Sequence, residues 1–313
     1  MALTLTEGNK YSRTELQAAV IDRLVKDSRV LELLPFETIL GNSLTYNTIT
    51  TDSSAAFRAV GGTWTENTPS LTQATASLSI LGGDADVDNF LLKTRSNITD
   101  LKGTVIGNKV KAVQNAYIDK FFYGYNTGDP NEFDGLQYLI SNTTYNTIQS
   151  ATDANGAAMT VAKLRQMIDL ITGWKPTVLV MPKTAKRLLS TYLDSVGSAF
   201  PRSANEFGKM AESFDGIEIV VDDHMTITES TTSAGIYSDS TSDDQFSVFA
   251  LAFDPMAVCG IHSGDGVQIE PLGNLETKDA QRWRIKWYCG LMFQDLRSSS
   301  KYIGCLSGSA VTA

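Results

Sequence analysis

The chain has 313 residues, 42% of them hydrophobic and 19% charged, a composition typical of a soluble globular protein with one large domain or two smaller ones. Its net charge of −9 and isoelectric point of about 4.8 argue against a protein that coats DNA or membranes, because such proteins need a positive surface. The first residues lack the basic and apolar regions of a signal peptide, and no apolar run is long enough to span a membrane, so we expect a cytoplasmic protein with no membrane partner.

The first predicted element is a short amphipathic helix. Ser12 and Glu15 have the spacing of a capping box, which marks the start of a helix. Pro35 ends the segment, because proline cannot continue a helix. The apolar residues between them repeat at helical spacing: Leu16, Ala19, Val20 and Leu24.

Residues 44–82, which we call the flap, have an extended pattern rich in Thr, Ser, Ala and Gly. The stretch TASLSIL alternates, with Ala76, Leu78 and Ile80 on one face, as in a strand. Gly61 and Gly62 lie between the two limbs, where a chain reversal needs a permissive backbone. The sequence therefore predicts a long two-stranded ribbon.

A two-stranded ribbon with little apolar surface is marginally stable in water, so we expect another subunit to cover the flap. Large aromatic side chains near the tip are the predicted anchors of that contact. The alternative is that these aromatics merely lie in a tolerant loop. The predicted contact residues are Phe57, Arg58, Trp64 and Glu66, and the predicted bending positions are Gly61, Gly62, Gly82 and Gly83.

Two later segments have complementary charge patterns. In DADVDN, Asp84, Asp86 and Asp88 alternate with inward-facing Ala85 and Val87. RWRIKW has the opposite charge, and its aromatic residues share a face that the basic residues do not. That geometry favours a core strand over a nucleic-acid platform, because the rings and the charges point to opposite faces. We expect both charged faces to lie in one sheet, with basic residues Arg282, Arg284 and Lys286.

The remaining elements predict an α+β fold. A helix of about seven turns is expected to start at Asn97 and to end at Gly124, and another starts after Thr160. PTVLVMPKTAKRLLSTYL has the pattern of a buried strand, a proline and a helix, and IEIVV, FSVFALAF and RWRIKWYCGLMF predict further strands. Residues 226–244 resemble a polar surface loop.

A search for reactive groups finds no catalytic, metal or cofactor motif, and we expect no enzyme and no cofactor. Only His224 and His262 are present, and three cysteines without CxxC spacing indicate buried free thiols. Asp222, Asp223 and His224 form a conceivable metal corner, but two solvated acids at a strand end are the simpler interpretation. DADVDN fails as a calcium loop because position six is not glycine. A carboxylate-based hydrolase remains a distant alternative.

The order of these parts resembles the major capsid proteins of tailed bacteriophages, the Hong Kong 97-like fold family, from about Leu16 to Gly304. The phrases that support this resemblance are LLPFETILGNSLTYN, FRAVGGTWTE, SILGGDADVDNF, FDGIEIVVDD and PLGNLETKDAQRWRIKWYCGLMF. The resemblance implies an N-terminal arm (1–43), an extended β-hairpin E-loop with its base strands (44–95), a peripheral domain with a long spine helix (96–172 and 264–313), and a compact α/β axial domain (173–263).

The resemblance also implies a function. The chain is expected to assemble through pentamers and hexamers into an icosahedral shell that encloses double-stranded DNA, in a virion assembled in the host cytoplasm. Neighbouring capsomers, portal and decoration proteins are the expected partners. A separate scaffolding protein, or none, is implied, since no long fused scaffolding segment is encoded. An encapsulin-type nanocompartment is the main alternative. No lysine lies between Lys26 and Lys93, so cross-linking by an E-loop lysine is not expected.

Charge is unevenly distributed along the chain. Residues 93–123 hold six basic side chains against two acidic ones, whereas residues 203–254 hold one basic side chain against eleven acidic ones. In the family the spine helix lies toward the interior, which implies that Lys102, Lys109 and Lys111 face packaged DNA. The alternative is a solvated helix face with no preferred partner. Binding of this kind would be independent of sequence and sensitive to salt.

Overall fold

The computed structural model describes residues 29–51, 53–90, 93, 101–140, 146–150, 156–197, 202–204, 210–231, 237–239 and 244–312. The predicted helix before residue 29 and the predicted cap Asn97 lie outside these ranges. The helices of the described residues are α1 (Arg29–Leu33), α2 (Leu101–Tyr123), α3 (Leu136–Leu139), α4 (Val161–Asp169) and α5 (Lys183–Ser195).

The strands lie in three sheets. In chain order they are β1 (Phe36–Ile39), β2 (Ser43–Thr51), β3 (Ser70–Ser77), β4 (Ser79–Asp88), β5 (Thr147–Gln149), β6 (Val178–Met181), β7 (Arg202–Ala204), β8 (Met210–Phe214), β9 (Ile217–Val221), β10 (Glu229–Thr231), β11 (Tyr237–Asp239), β12 (Gln245–Leu251), β13 (Val258–Asn274), β14 (Ala280–Phe293) and β15 (Ser300–Leu306).

The first sheet has four strands in the order β1-β13-β14-β4. Strand β14 alternates as predicted, with Trp283, Ile285 and Trp287 buried. Those rings face helix α2, where Tyr117 lies 4.6 Å from the ring of Trp287. Helix α2 therefore packs lengthwise on this sheet through an aromatic core.

The second sheet forms a compact α/β layer. Its main path has the order β11-β10-β12-β6-β9-β8-β7, and β15 pairs with β12 and with β5. Strands β6 and β12 are buried throughout, in agreement with the apolar strands predicted there. Strand β15, which the sequence analysis did not predict, is also buried nearly throughout. Thr160 caps helix α4 by accepting a hydrogen bond from the backbone of Lys163, and Pro182 precedes helix α5. Both starts agree with the sequence.

The third sheet is the flap hairpin, in which β2 pairs with β3 from Ser43↔Ser77 to Thr51↔Ser70. The prediction of one continuous return strand is wrong, because pairing moves at Leu78 from the hairpin to the four-stranded sheet. That change of sheet breaks the alternation. Ala76, at the base of the hairpin, is buried, whereas Ile80 is 78% exposed.

Residues 226–244 are not simply a polar surface loop. Strands β10 and β11 form a hairpin within them, and Glu229 is fully buried. Polar composition misled the prediction because the buried carboxylate takes hydrogen bonds from other parts of the chain. Strand β13 runs continuously through the predicted domain boundary between residues 263 and 264. Strands β12 and β15, which the prediction placed in different domains, pair with each other.

Candidate functional site

The tip of the flap, residues 53–69, is a surface that its own subunit leaves uncovered. Every described side chain in it is exposed. Phe57 and Val60 are exposed in full, and Trp64 is 67% exposed. Exposed apolar side chains of this size on one loop make it a candidate interaction site, because leaving them in water costs free energy. The residues predicted for a contact, including Glu66, lie together on this tip.

The tip has a defined local shape. The guanidinium of Arg58 lies 4.1 Å from the centre of the Trp64 ring, and its Nη1 donates to the carbonyl of Gly62 at 2.8 Å. The indole Nε1 of Trp64 donates to the carbonyl of Ala56 at 3.1 Å. The Trp64 ring is therefore held by contacts within the tip itself.

The chain reverses at Gly61, as predicted. Its φ of +87° lies in the left-handed region that favours glycine, and the amide of Gly62 donates to the carbonyl of Ala59 at 3.0 Å. A Cβ at Gly61 would meet nothing within 4 Å, so backbone conformation alone requires the glycine.

The base of the flap is fixed to its own subunit. The hydroxyl of Tyr46 donates to the carbonyl of Phe293 at 3.0 Å, and burial raises the pKa of that hydroxyl. Ala76 packs with Ile261 and Met292 in a small apolar cluster. Base and tip thus differ: the base is anchored to its own subunit, and every described side chain of the tip is exposed.

A ladder of ion pairs connects β4 to β14, next to the flap base. Arg284 faces Asp84, with Nε–Oδ1 at 2.7 Å and Nη2–Oδ2 at 2.9 Å. Arg282 faces Asp86 in the same two-point geometry, at 2.6 and 2.7 Å. Hydrogen bonds from the two guanidinium groups lower the pKa of both carboxyls. The two charged faces lie in one sheet, as predicted.

The outer members of the two charged faces have other partners. Lys286 stands opposite Gly82 and forms an ion pair with Glu270 at 2.6 Å on the other neighbouring strand. Asp88 accepts the backbone amide of Phe90 at 2.8 Å.

Gly82 and Gly83 are not hinges, which corrects the prediction for this pair. Both lie inside the paired strand β4, opposite Lys286 and Ile285. A Cβ at Gly82 would collide with the carbonyl oxygen of Ile285, and one at Gly83 would collide with the end of the Lys109 side chain. These glycines allow close packing.

The structure separates the three lysines predicted to face DNA. Lys102 lies over the Trp283 ring, with Nζ 4.6 Å from its centre. Lys109 reaches toward Gly83 and Asp84, on the same side of helix α2. Lys111 lies about half a turn away from Lys109 and lines an open groove with Arg29 and Lys183. The three lysines do not form one patch.

The groove beside Lys111 also contains the Asp222–His224 corner. Asp222 is buried, not solvated as predicted, and its Oδ1 accepts the amide of His224 at 2.9 Å. Burial raises the pKa of this carboxyl. The His224 ring contacts Asp119 of helix α2 at 2.6 Å. Within the described ranges, no group of three or more potential ligands is arranged to hold a metal ion.

Sequence analysis missed a buried polar cluster made of Tyr123, Gln137, Glu229, Ser247 and Lys301. Tyr123 donates to Glu229 at 2.6 Å, Ser247 donates to the other carboxylate oxygen, and Lys301 donates to the carbonyl of Gln137 at 2.8 Å. Glu229 and Lys301 have no exposed surface. The available signal was a lysine inside the otherwise apolar strand SKYIGCL.

Two further expectations concern the whole chain. The three cysteines, Cys259, Cys289 and Cys305, are buried free thiols as predicted, and burial raises the pKa of each. Among the described residues, none of the helices combines the length and apolar composition needed to cross a membrane.

Comparison with known proteins gives a consistent result. A model of the phage capsid family matches residues 11–239. A comparison with curated proteins found no match. The structure is similar to the SrpI encapsulin of Synechococcus elongatus PCC 7942, with a TM-score of 0.68 and 11% identity over 90% of this chain and 88% of that chain.

Two further structures resemble the chain in the same way. The capsid of a native GTA particle has a TM-score of 0.60 and 12% identity over 88% of this chain and 89% of that chain. A structure from Microbacterium phage Oxtober96 has a TM-score of 0.59 and 12% identity over 91% of each chain. At such low identity these likenesses concern the fold, and they confirm the predicted α+β capsid fold.

Proposed function

The chain belongs to the phage capsid family and is a structural protein of the capsid shell, and on this premise we propose that it assembles through pentamers and hexamers into a closed icosahedral shell around double-stranded DNA. The observation that supports this proposal most is the flap, whose base is anchored while its aromatic tip is uncovered. A neighbouring subunit is the partner that shell assembly would supply.

The proposed mechanism is the sum of several modest contacts. A stable interface buries about 1,200–2,000 Å², and contacts that close a ring become effectively intramolecular. Phe57 and Trp64 would enter an apolar surface of the next subunit, while Arg58 and Glu66 would pair at its rim. Gly61 and Gly62 would let the tip adjust between the two kinds of capsomer.

The parts of the subunit would then have separate roles. We assign residues 1–43 to an arm, 44–95 to an E-loop with its base strands, 96–172 and 264–313 to a peripheral domain, and 173–263 to an axial domain. The virion is the proposed location, with assembly in the host cytoplasm. Neighbouring capsomers, scaffolding, portal and decoration proteins are the proposed partners.

The separation of the lysines limits the proposed contact with DNA. Lys102 and Lys109 lie against the sheet beside Trp283 and Asp84, so their charge is already partly balanced. Lys111 is exposed on the other side of the helix. Contact with the genome would be non-specific and weak, because few phosphates could be neutralised at once.

Electron microscopy of the protein purified from infected or expressing cells tests the proposal. Closed shells that contain nuclease-protected DNA after infection support it. Closed shells that contain only protein cargo support the encapsulin alternative, and small monodisperse oligomers alone contradict shell assembly. The matched variant replaces residues 52–69 by Asn-Gly, a two-residue turn between the paired Thr51 and Ser70, which keeps the anchored hairpin and removes the tip. This variant is expected to fold and to form no closed shells.

A further inference from the structure

The buried polar cluster places a lysine amine against a side-chain amide. Lys301 Nζ lies 2.8 Å from the backbone oxygen of Gln137 and 3.3 Å from its Oε1. Because a lysine can only donate, Gln137 must present its oxygen to Lys301 and its Nε2 to the opposite side. There Nε2 donates to Ser247 Oγ at 2.9 Å.

The same hydroxyl connects the amide nitrogen to an acid. Ser247 Oγ donates to one oxygen of Glu229, and the hydroxyl of Tyr123 donates to the other at 2.6 Å. The order of groups is therefore amine, amide carbonyl, amide nitrogen, hydroxyl and carboxyl. This is the arrangement in which an amine can replace the nitrogen of an amide while an acid protonates the departing group.

Burial makes the uncharged forms that this chemistry needs more accessible than they are in water. Gln137, Glu229, Ser247 and Lys301 are all buried. Among the ion pairs of the described residues, none joins Lys301 to a carboxylate. Burial lowers the pKa of Lys301 to about 8 and raises the pKa of Glu229 to about 7, so a neutral amine and a protonated carboxyl are accessible near neutral pH.

We propose that Lys301 and Gln137 form an intramolecular isopeptide bond, with Ser247 as the catalytic residue at the amide nitrogen and Glu229 as the residue that supplies a proton through it. The lone pair of Nζ attacks Cδ of Gln137 and a C–N bond forms. After the attack Nε2 is a tetrahedral amine that can accept a hydrogen bond, so Ser247 Oγ turns its proton to Nε2 and takes the proton of Glu229. The bond from Cδ to Nε2 then breaks and Nε2 leaves as ammonia. The proton lost by Nζ restores the carboxyl, so no other reactant is consumed.

The bond would join two distant parts of the chain. Helix α3 and strand β15 are separated by 164 positions at these residues. A covalent link between them would restrict the unfolded chain and hold the end of the spine helix region against the second sheet. This inference is independent of shell assembly, because every group belongs to one subunit.

Mass spectrometry of the full chain under denaturing conditions tests the proposal. The wild-type chain is expected to be lighter than its sequence mass by one ammonia, and a digest is expected to contain one branched peptide that includes both Gln137 and Lys301. A chain of full sequence mass overturns the proposal. So does loss of ammonia when Gln137 and Lys301 are recovered in separate, unmodified peptides.

Variants separate chemistry from packing. Lys301→Arg is expected to have the full sequence mass, because guanidinium is a poor nucleophile. The matched control is Lys163→Arg, since the amine of Lys163 donates to two backbone carbonyls, those of Gln149 and Ser150. This control should still lose ammonia. If the Lys301 variant does not fold, the wild-type mass alone still decides.

The pH dependence of the reaction rate tests the role of Glu229. Unlinked chain can be refolded from inclusion bodies and the branched peptide quantified over time at several pH values. The rate is expected to be highest between about pH 7 and 8, where a neutral Lys301 and a protonated Glu229 coexist best. Glu229→Gln is expected to slow the reaction at least tenfold and to abolish the fall in rate above that range. An unchanged pH profile would exclude Glu229 as the proton source.

Discussion

Arg284 and Asp84 face each other on neighbouring strands, and the guanidinium bonds the carboxylate at two points, 2.7 and 2.9 Å. The pair lies on β4, the strand by which the chain continues from the hairpin into the four-stranded sheet. A second pair, Arg282 and Asp86, repeats the geometry two residues along. The ladder therefore fixes the register of the strand from which the flap extends.

The first prediction concerns this ladder. Asp84→Asn and Arg284→Gln are each expected to lower the thermal midpoint of unassembled subunits, and the double variant is expected to lose less than the sum of the two. This difference between the double variant and the sum of the single variants should nearly vanish in about 1 M NaCl, where the screening length is only about 3 Å. Thermal unfolding in low and high salt checks this. Additive losses at low salt would show that the pair does not act as a unit.

The second prediction distinguishes the two adjacent glycines. Gly82→Ala would press a methyl group into the backbone of Ile285, and overpacking of this kind costs about 1–3 kcal/mol of unfolding free energy. Gly83→Ala is the matched control, because its methyl group would meet only the flexible end of Lys109. The unfolding free energy of Gly82→Ala, measured with denaturant, should be well below that of Gly83→Ala. Equal stabilities would contradict the packing role.

The third prediction separates assembly from folding by comparing two tryptophans. Trp64 is largely exposed and Trp283 is buried. Trp64→Ala should leave subunit stability unchanged and weaken assembly, since an interface anchor contributes about 2 kcal/mol or more. Trp283→Ala should destabilise the subunit by about 3–5 kcal/mol. Sedimentation and unfolding of both variants measure this, and a Trp64 variant that assembles like wild type would exclude the ring as an anchor.

The fourth prediction concerns pH. Burial raises the pKa of Glu229 from its ordinary 4.5 to about 7, so the folded state keeps a proton that the unfolded chain releases. The contribution of this bound proton to the unfolding free energy is complete below about pH 4.5 and is lost as the pH rises to about 7. Relative to Glu229→Gln, the unfolding free energy of wild type should therefore fall across that window, by on the order of 2 kcal/mol.

Denaturant unfolding of unassembled subunits between pH 4.5 and 7.5 measures this change. Glu66→Gln, which removes a carboxylate from the exposed flap tip, is the control and should not alter the profile. If the difference in unfolding free energy between wild type and Glu229→Gln stays constant across the window, Glu229 is not protonated in the folded state with a raised pKa.

Local patterns predicted much of the fold. Strict alternation in DADVDN and RWRIKW predicted which side chains share a face, because a strand has a period of two residues. The opposite charges of the two outer faces predicted that both strands lie in one sheet. Thr160 and Pro182 marked helix starts through capping chemistry. These features depend only on neighbours in sequence, so sequence analysis could find them.

Features that depend on distant partners could not be predicted. Ile80 continues an alternating pattern, but the strand changes sheets at Leu78 and leaves it exposed. Gly82 resembled a bending point, and only the approach of Ile285 shows that it serves packing. Glu229 lies in a polar stretch, and its burial depends on Tyr123 and Ser247, which are remote in the sequence.

The most direct test of the central claim, that one subunit extends its flap onto the next, is a cryo-EM map of purified shells at side-chain resolution. Residues 53–69 are expected to lie on a neighbouring subunit, with Phe57 and Trp64 buried there. A closed shell in which this tip packs against its own subunit, or stays in solvent, would contradict it.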